Sequence, residues 1–184
     1  MTRVQKIKIE ILTEEAFLPF GQIIGAKDRP PDYCGGGASQ GWRVDFHTAG
    51  RTQVSVSMVP FQGLTFKKLE RHFNVTQAFI PLDGSPAVVA VAPPTDPDDR
   101  GAIPSPEQVR AFLLDGTNGY VLKKGTWHSL DRYPLYPPSS VFVILSDHET
   151  SQDLALAYAG KGGWHLTQEV DYEARCGAAF EMIL

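Results

Sequence analysis

LERHFNVTQAFIPLDG, residues 69–84, is the most informative stretch of the sequence. Residues two apart on a strand point to the same side, so Glu70 and His72 are expected to face together. The segment Phe73–Thr76 is short enough to be a turn, and Gln77 then opens a return strand beside them. The stretch therefore predicts a β-hairpin that places a carboxylate, an imidazole and an amide on one surface.

A second stretch, KKGTWH at residues 123–128, offers another histidine. It predicts a turn followed by an inward-facing His128. One carboxylate, two imidazoles and one amide oxygen form a ligand set that suits a borderline divalent ion such as Ni, Fe, Mn or Zn. The candidate metal ligands are Glu70, His72, Gln77 and His128.

Short strand patterns fill much of the remaining chain. Lys6–Leu12 and Gln53–Val59 alternate polar and apolar residues, which is the period of a strand with one buried face. Turn dipeptides such as Asp83-Gly84 and Pro137-Pro138 separate the segments. Further strands are predicted over Leu64–Leu69, Gln77–Leu82, Ala87–Ala92, Gly119–Leu122, Ser140–Leu145 and Leu154–Ala159.

Two short helices are also predicted. Thr13 suits the N-cap of a helix that reaches about Leu18, with Glu14 in its acidic first turn. Pro106–Leu114 is predicted as the second helix, with Ser105 as its cap. Many short strands with one or two short helices indicate a mainly all-β protein, either an antiparallel sandwich or a small barrel.

The composition narrows the classes of function. A net charge of -4 gives no basic field for nucleic acid or an anionic membrane surface, so neither is an expected partner. No run approaches the roughly 18 apolar residues of a membrane-spanning helix, and the first residues lack a secretory signal pattern. Cys34 and Cys176 match no metal or redox spacing, which predicts free thiols in a cytoplasmic protein.

The two motifs resemble those of the cupin superfamily. Its first motif reads His-x-His, then Glu after three or four residues, then Gly six residues on, and its second reads Pro-x-Gly-x-x-His. The resemblance implies a cupin fold, which is a double-stranded β-helix or jelly-roll barrel. The first frame is filled here by Glu70, His72, Gln77 and Gly84, and the second by Lys123, Gly125 and His128.

A closer resemblance is carried by residues 69–84, by VRAFLLDGTNG at 109–119 and by GTWH at 125–128. These stretches are similar to the ureidoglycolate lyase family, and the similarity covers roughly residues 7–147. It implies an often dimeric enzyme of allantoin and purine catabolism. Such an enzyme cleaves ureidoglycolate, a ureido-substituted 2-hydroxy acid, to glyoxylate and urea with a divalent metal. By this resemblance the metal is nickel.

The resemblance suggests roles for several residues. A metal chelated by the substrate hydroxyl and carboxylate lowers the pKa of the hydroxyl, and a nearby base removes its proton. Glu70 is either a ligand or this base. Lys123 is a candidate carboxylate partner or acid, with an exposed basic turn as the alternative. Arg43 and His47 are weaker catalytic candidates, from a lid or a partner subunit.

We predict a single cupin domain over residues 1–184. It comprises an N-terminal strand and helix (6–25), a barrel core (about 51–160) and a C-terminal extension (161–184). The segment 28–41 is a Gly- and Pro-rich loop, and loops of this length are more often functional than idle.

Edge strands and an apolar C-terminal stretch predict a homodimer, with closure of the barrel by the same stretch as the alternative. Two alternatives to the lyase stay open. One is another metal-dependent cupin enzyme, a hydrolase, isomerase or dioxygenase, that acts on a different small organic acid. The other is a metal-free cupin that binds a small ligand without turnover.

Overall fold

The structure is a computed structural model that describes residues 2–184. Within this range the chain forms sixteen strands, three α-helices and one 3₁₀ turn. The helices are α1 (Glu14–Phe17), α2 (His148–Tyr158) and α3 (Tyr172–Cys176), and the 3₁₀ turn covers Pro106–Gln108. The strands are β1 (Arg3–Ile11), β2 (Gly21–Ile24), β3 (Tyr33–Cys34), β4 (Gln40–Gly41), β5 (Thr52–Pro60), β6 (Thr65–Phe66), β7 (Lys68–His72), β8 (Gln77–Pro81), β9 (Ala87–Ala92), β10 (Arg110–Leu114), β11 (Gly119–Leu122), β12 (Trp127–Ser129), β13 (Tyr133–Pro134), β14 (Ser139–Asp147), β15 (Thr167–Asp171) and β16 (Ala178–Ile183).

Two sheets make up most of the protein. The larger has nine strands in the order β15-β7-β12-β9-β10-β1-β16-β6, with β13 joined to β9. The smaller has the order β2-β11-β8-β14-β5, and β3 pairs with β4 alone. Most neighbouring strands are antiparallel, but β1 runs parallel to both β10 and β16. The prediction of a mainly all-β barrel is confirmed.

The central strands of the nine-stranded sheet are buried on both faces. The inward face of this sheet meets the smaller sheet in an inner core, where Val91 and Phe112 pack with Phe79 and Phe142. Its other face is covered by an outer core that includes Trp127, Phe180 and other side chains from β16 and α3. Successive residues of a central strand therefore enter different cores, which explains why all six residues of β9 are buried.

The predicted helix over Pro106–Leu114 is wrong beyond its first turn. A 3₁₀ turn covers Pro106–Gln108, and the chain then continues as β10, which pairs with β9 and β1. Ala111 packs in the outer core and Phe112 in the inner core. Because both faces of β10 are buried, the segment lacks the polar alternation that marks a strand.

The predicted strand over Leu154–Ala159 is also wrong, because the segment belongs to helix α2. Asp147 caps this helix, with its Oδ1 accepting a hydrogen bond of 2.7 Å from the backbone N–H of Thr150. Asp153 faces inward from the helix, and its carboxylate accepts hydrogen bonds from three consecutive backbone N–H groups at residues 165–167. A strong N-cap outweighs a few alternating apolar residues.

The N-terminal prediction is confirmed, since Thr13 caps α1 and its Oγ1 accepts a hydrogen bond from Ala16 N–H. The segment 28–41 is mostly loop but contains the short β3–β4 hairpin. At the other end of the chain, β15 pairs with β7 and β16 pairs with β1. No helix in residues 2–184 has the length and apolar character that crossing a membrane requires.

Candidate metal centre

Two neighbouring strands bring the predicted ligands together. Glu70 and His72 lie two apart on β7, and His128 on β12 is the cross-strand partner of Glu70. All three side chains are buried, and their ligand atoms lie within 4.8 Å of one another. Glu70 Oε1 is 3.8 Å from His72 Nε2 and 3.9 Å from His128 Nδ1. We call this cluster the Glu-His-His triad.

Several buried polar atoms here have no hydrogen-bond partner among the described residues. They are Glu70 Oε2, His128 Nε2, the oxygen of Gln77 and both ring nitrogens of His72, one of which is an acceptor in the neutral imidazole. Buried polar atoms are nearly always satisfied, so a cluster of unsatisfied acceptors requires a cation or donors. Gln77 opens β8 as predicted and lines one narrow cavity with His72 and His128. The donor set fits a borderline divalent metal.

A backbone contact orients one imidazole. His128 Nδ1 lies 3.0 Å from the Ser129 carbonyl oxygen, which can only accept a hydrogen bond. The Nδ1–H tautomer that this contact selects leaves the lone pair of Nε2 free to bind a metal.

Burial controls the protonation of the triad. Burial raises the pKa of Glu70 to about 8, although the Arg132 charge opposes this rise. Burial, reinforced by Arg132, lowers the pKa of His72 to about 4. The same two causes hold the pKa of His128 well below its usual value. Near neutral pH both imidazoles are therefore neutral, as ligation requires, and the Glu70 carboxyl carries a proton that a metal would displace.

Arg71 packs on the outer face of the sheet, behind the two strands that carry the triad. It lies between Glu70 and His72 in sequence, and its fully buried side chain enters the outer face of the sheet. Its guanidinium donates to Gln168 Oε1 on β15 and to the Thr95 carbonyl. It also stacks 4.7 Å from the ring of Trp127, the residue before His128. Arg71 is thus the sequence neighbour of Glu70 and His72 and contacts the neighbour of His128.

We expect Arg71→Met to weaken metal binding by about 10-fold, because it removes contacts that hold β7 against β15 and Trp127, and a group hydrogen-bonded directly to a ligand is worth about 10- to 100-fold. Chelator competition measures the effect. Arg110→Met is the matched control, because Arg110 pairs with Glu10 at a half-exposed position on β10. Equal metal affinities in both variants would contradict this role for Arg71.

The other predicted catalytic residues, Lys123, His47 and Arg43, make no hydrogen bond to the triad. The exposed Lys123 donates from its ammonium to the Leu18 carbonyl, and it lines the narrow cavity. The exposed His47 is anchored through its backbone, which exchanges hydrogen bonds of 2.8 and 2.9 Å with Thr76. His47 and Lys123 line an open cavity of about 630 Å³. Arg43 lines a neighbouring cavity and stacks 4.7 Å from the ring of Tyr33.

Arg132 is, after Arg71, a second buried arginine that sequence reasoning missed. Arg132 is buried, and its Nε donates a 2.7 Å hydrogen bond to the hydroxyl of Tyr120. The segment from Leu130 to Pro138 looks like an ordinary loop, and the pair Asp131-Arg132 resembles a solvated surface pair. Only the position of Arg132, four residues after a ligand, could have drawn attention to it.

A two-sheet barrel with a buried carboxylate and two imidazoles at the two motif positions defines a cupin. Comparison with known proteins gives the family. The family model described as ureidoglycolate lyase matches residues 4–166, and the chain belongs to this family of carbon–nitrogen lyases.

Curated relatives agree with this assignment. The chain is 35% identical over 133 residues to a ureidoglycolate lyase of Azotobacter vinelandii, covering 66% of this chain and 74% of that protein. It is 34% identical over 136 residues to a ureidoglycolate lyase of Brucella ovis, covering 68% of this chain and 75% of that protein.

Among solved structures, Bacillus subtilis oxalate decarboxylase with its Mn(II) centres matches at a TM-score of 0.36 and 10% identity, covering 78% of this chain and 40% of that one.

Proposed function

We propose that this protein is a metal-dependent ureidoglycolate lyase that releases glyoxylate and urea. Membership of the family supports the substrate. The observation that carries the metal dependence is the buried triad, whose acceptor atoms lack partners within the described chain. Glu70, His72 and His128 would hold the ion, with the Gln77 oxygen as a fourth ligand.

The reaction requires one proton to move from the substrate hydroxyl to the departing nitrogen. When bound, a divalent metal supplies Lewis-acid polarisation of the hydroxyl and carboxylate. A base removes the hydroxyl proton, the carbon–oxygen double bond of glyoxylate forms, and the carbon–nitrogen bond breaks. The urea nitrogen then takes up a proton. Glu70 is either a ligand of the ion or, if it does not bind the ion, the base that removes the hydroxyl proton.

Three residues outside the triad have proposed supporting roles. Lys123 would exchange its bond to the Leu18 carbonyl for the substrate carboxylate or act as an acid. His47 would contribute from the segment anchored to Thr76, at the open cavity. Arg43 would contribute from the neighbouring cavity, as part of a lid.

Turnover of racemic ureidoglycolate tests the proposal. Purified protein is stripped with a chelator, reloaded separately with Ni²⁺, Mn²⁺, Fe²⁺ or Zn²⁺, and assayed for glyoxylate and urea in equal amounts. We propose Ni²⁺ as the most active ion. A fully loaded protein that releases neither product would overturn the lyase and leave a different cupin enzyme. A protein that retains no metal would favour a metal-free binding cupin.

We also propose that residues 1–184 form one cupin domain that works as a cytoplasmic homodimer. The free thiols of Cys34 and Cys176 support the cytoplasm. The dimer is supported by β5, an edge strand that exposes Val54, Val56 and Met58. Two copies of this edge can pair about a twofold axis and cover these side chains.

We expect Val56→Lys to convert the dimer to a monomer, because it places a charge in the middle of the exposed apolar edge. Light scattering coupled to size-exclusion chromatography measures the mass. Leu156→Lys is the control, since Leu156 is also exposed but lies on α2. A monomeric parent protein, or a variant that stays dimeric, would contradict the proposed interface.

A further inference from the structure

The barrel contains an unsatisfied donor as well as unsatisfied acceptors. The acceptors on Glu70, Gln77 and His128 are explained by a cation. Nη2 of Arg132 is also buried without a partner among the described residues, but a guanidinium nitrogen can only donate. A metal ion cannot satisfy it, so this nitrogen requires an acceptor that the chain itself does not provide.

Neighbouring groups fix the guanidinium in place. Its Nε donates to the Tyr120 hydroxyl at 2.7 Å, and Nη1 donates to the Leu130 carbonyl at 3.3 Å. Its central carbon lies 3.3 Å from the centre of the Phe79 ring, which in turn lies edge-on to the His128 ring at 6.3 Å. Arg132 is thus separated from a metal ligand by a single aromatic ring.

The charge of Arg132 is not balanced by the protein. No carboxylate among the described residues forms an ion pair with it, although buried charges are normally paired. With a divalent ion bound, one carboxylate would face both the ion and the guanidinium. The loaded site therefore carries excess positive charge.

We propose that Arg132 is an anion-binding residue whose Nη2 donates to a negatively charged oxygen of a small 2-hydroxy acid held at the metal. This inference rests on the proposed function. It assigns recognition of the anion to a residue inside the barrel, in addition to the exposed Lys123. The ligand class is a hydroxy acid with its carboxylate or alkoxide oxygen next to the ion, because such a chelate satisfies both the metal and the orphan donor.

Glycolate binding to the Co²⁺-loaded protein tests the proposal without requiring turnover. Visible absorption of the cobalt ion reports both metal loading and ligand binding. We expect Arg132→Met to keep its cobalt but to bind glycolate about 10- to 100-fold more weakly, the range for loss of one hydrogen bond to a charged group. Arg110→Met, at the half-exposed Glu10 pair, should bind glycolate like the parent.

Unchanged glycolate affinity in a cobalt-loaded Arg132→Met protein would overturn the proposal, whether or not ureidoglycolate is cleaved. If that variant does not fold, nuclear magnetic resonance of the Zn²⁺-loaded parent decides the question. Adding glycolate should shift the side-chain N–H resonances of Arg132, and an unchanged spectrum would overturn the proposal. Failure of the lyase with intact glycolate binding would instead reject only the proposed substrate.

Discussion

His72→Ala and His128→Ala are each expected to lose the bound metal and, with it, the lyase activity. Each imidazole supplies a buried nitrogen within 4.8 Å of the other ligand atoms, and no other histidine belongs to the cluster. Loss of a direct ligand should exceed the roughly 10- to 100-fold cost of losing an outer-layer partner. Elemental analysis of the purified variants should therefore find background metal, and glyoxylate release should fall to the uncatalysed rate.

His47→Ala is the matched control, because His47 is exposed and makes only backbone contacts to Thr76. It should retain full metal content, although its activity tests a separate proposal. Circular dichroism establishes that the ligand variants remain folded. Full metal occupancy in both His72→Ala and His128→Ala would refute the ligand assignment.

The second expected result is a steep pH dependence of metal affinity. Burial raises the pKa of Glu70 to about 8, so a metal that binds its carboxylate must displace a proton below that pH. The pKa of His72 is lowered to about 4 and that of His128 is lowered well below its usual value, so Glu70 is the ligand whose proton has to leave as the pH approaches 8. Apparent affinity should therefore rise about tenfold per pH unit below pH 8 and level off above it.

Isothermal titration with Ni²⁺ in buffers of different ionisation heat measures both the affinity and the proton released. Glu70→Gln, which cannot ionise, should bind more weakly overall and lose the slope. A parent protein whose affinity is flat between pH 5 and 8 would show that Glu70 is already ionised and would remove it as a proton-linked ligand.

The stability of the metal-free protein provides an independent check, because it should fall with rising pH where the metal affinity rises. Glu70 has a folded pKa above its unfolded value, so the native state holds a proton that the unfolded state releases as the pH rises. The histidines have depressed pKa values, so they make the free energy of unfolding rise with pH, but only up to their unfolded pKa of about 6.5. Between pH 6.5 and 8 the free energy of unfolding should therefore fall as pH rises, and Glu70→Gln should flatten that fall.

The hairpin of the site could be predicted from the sequence because its signals are local. A period of two sets Glu70 and His72 on one face, and Gln77 follows directly after a short turn. The pairing of His128 with Glu70 is different, since residues nearly 60 positions apart meet only through the order of strands in a sheet. No local period contains that information. It came from the resemblance of two motifs to the cupin superfamily.

Two of the errors share a physical cause. Ala111 and Phe112 enter opposite cores, so β10 has no polar face, and its sequence is as compatible with a helix as with a strand. Arg132 is charged yet buried, and composition predicts that such residues lie at the surface. In both cases, residues distant in the sequence bury the segment. A local sequence pattern contains no information about such burial.

The parallel pairing of β1 with β16 has a consequence for synthesis on the ribosome. β1 lies inside the nine-stranded sheet, between β10 and β16, yet Ile9 pairs with Ala111 and Arg3 pairs with Ala178, which lie far along the chain. The early strand must remain without its neighbours until those distant residues have been synthesised. Closure of the outer core, which needs Phe180 and Met182, has to follow the emergence of residues 178–183. Such distant pairing is typical of slowly folding chains.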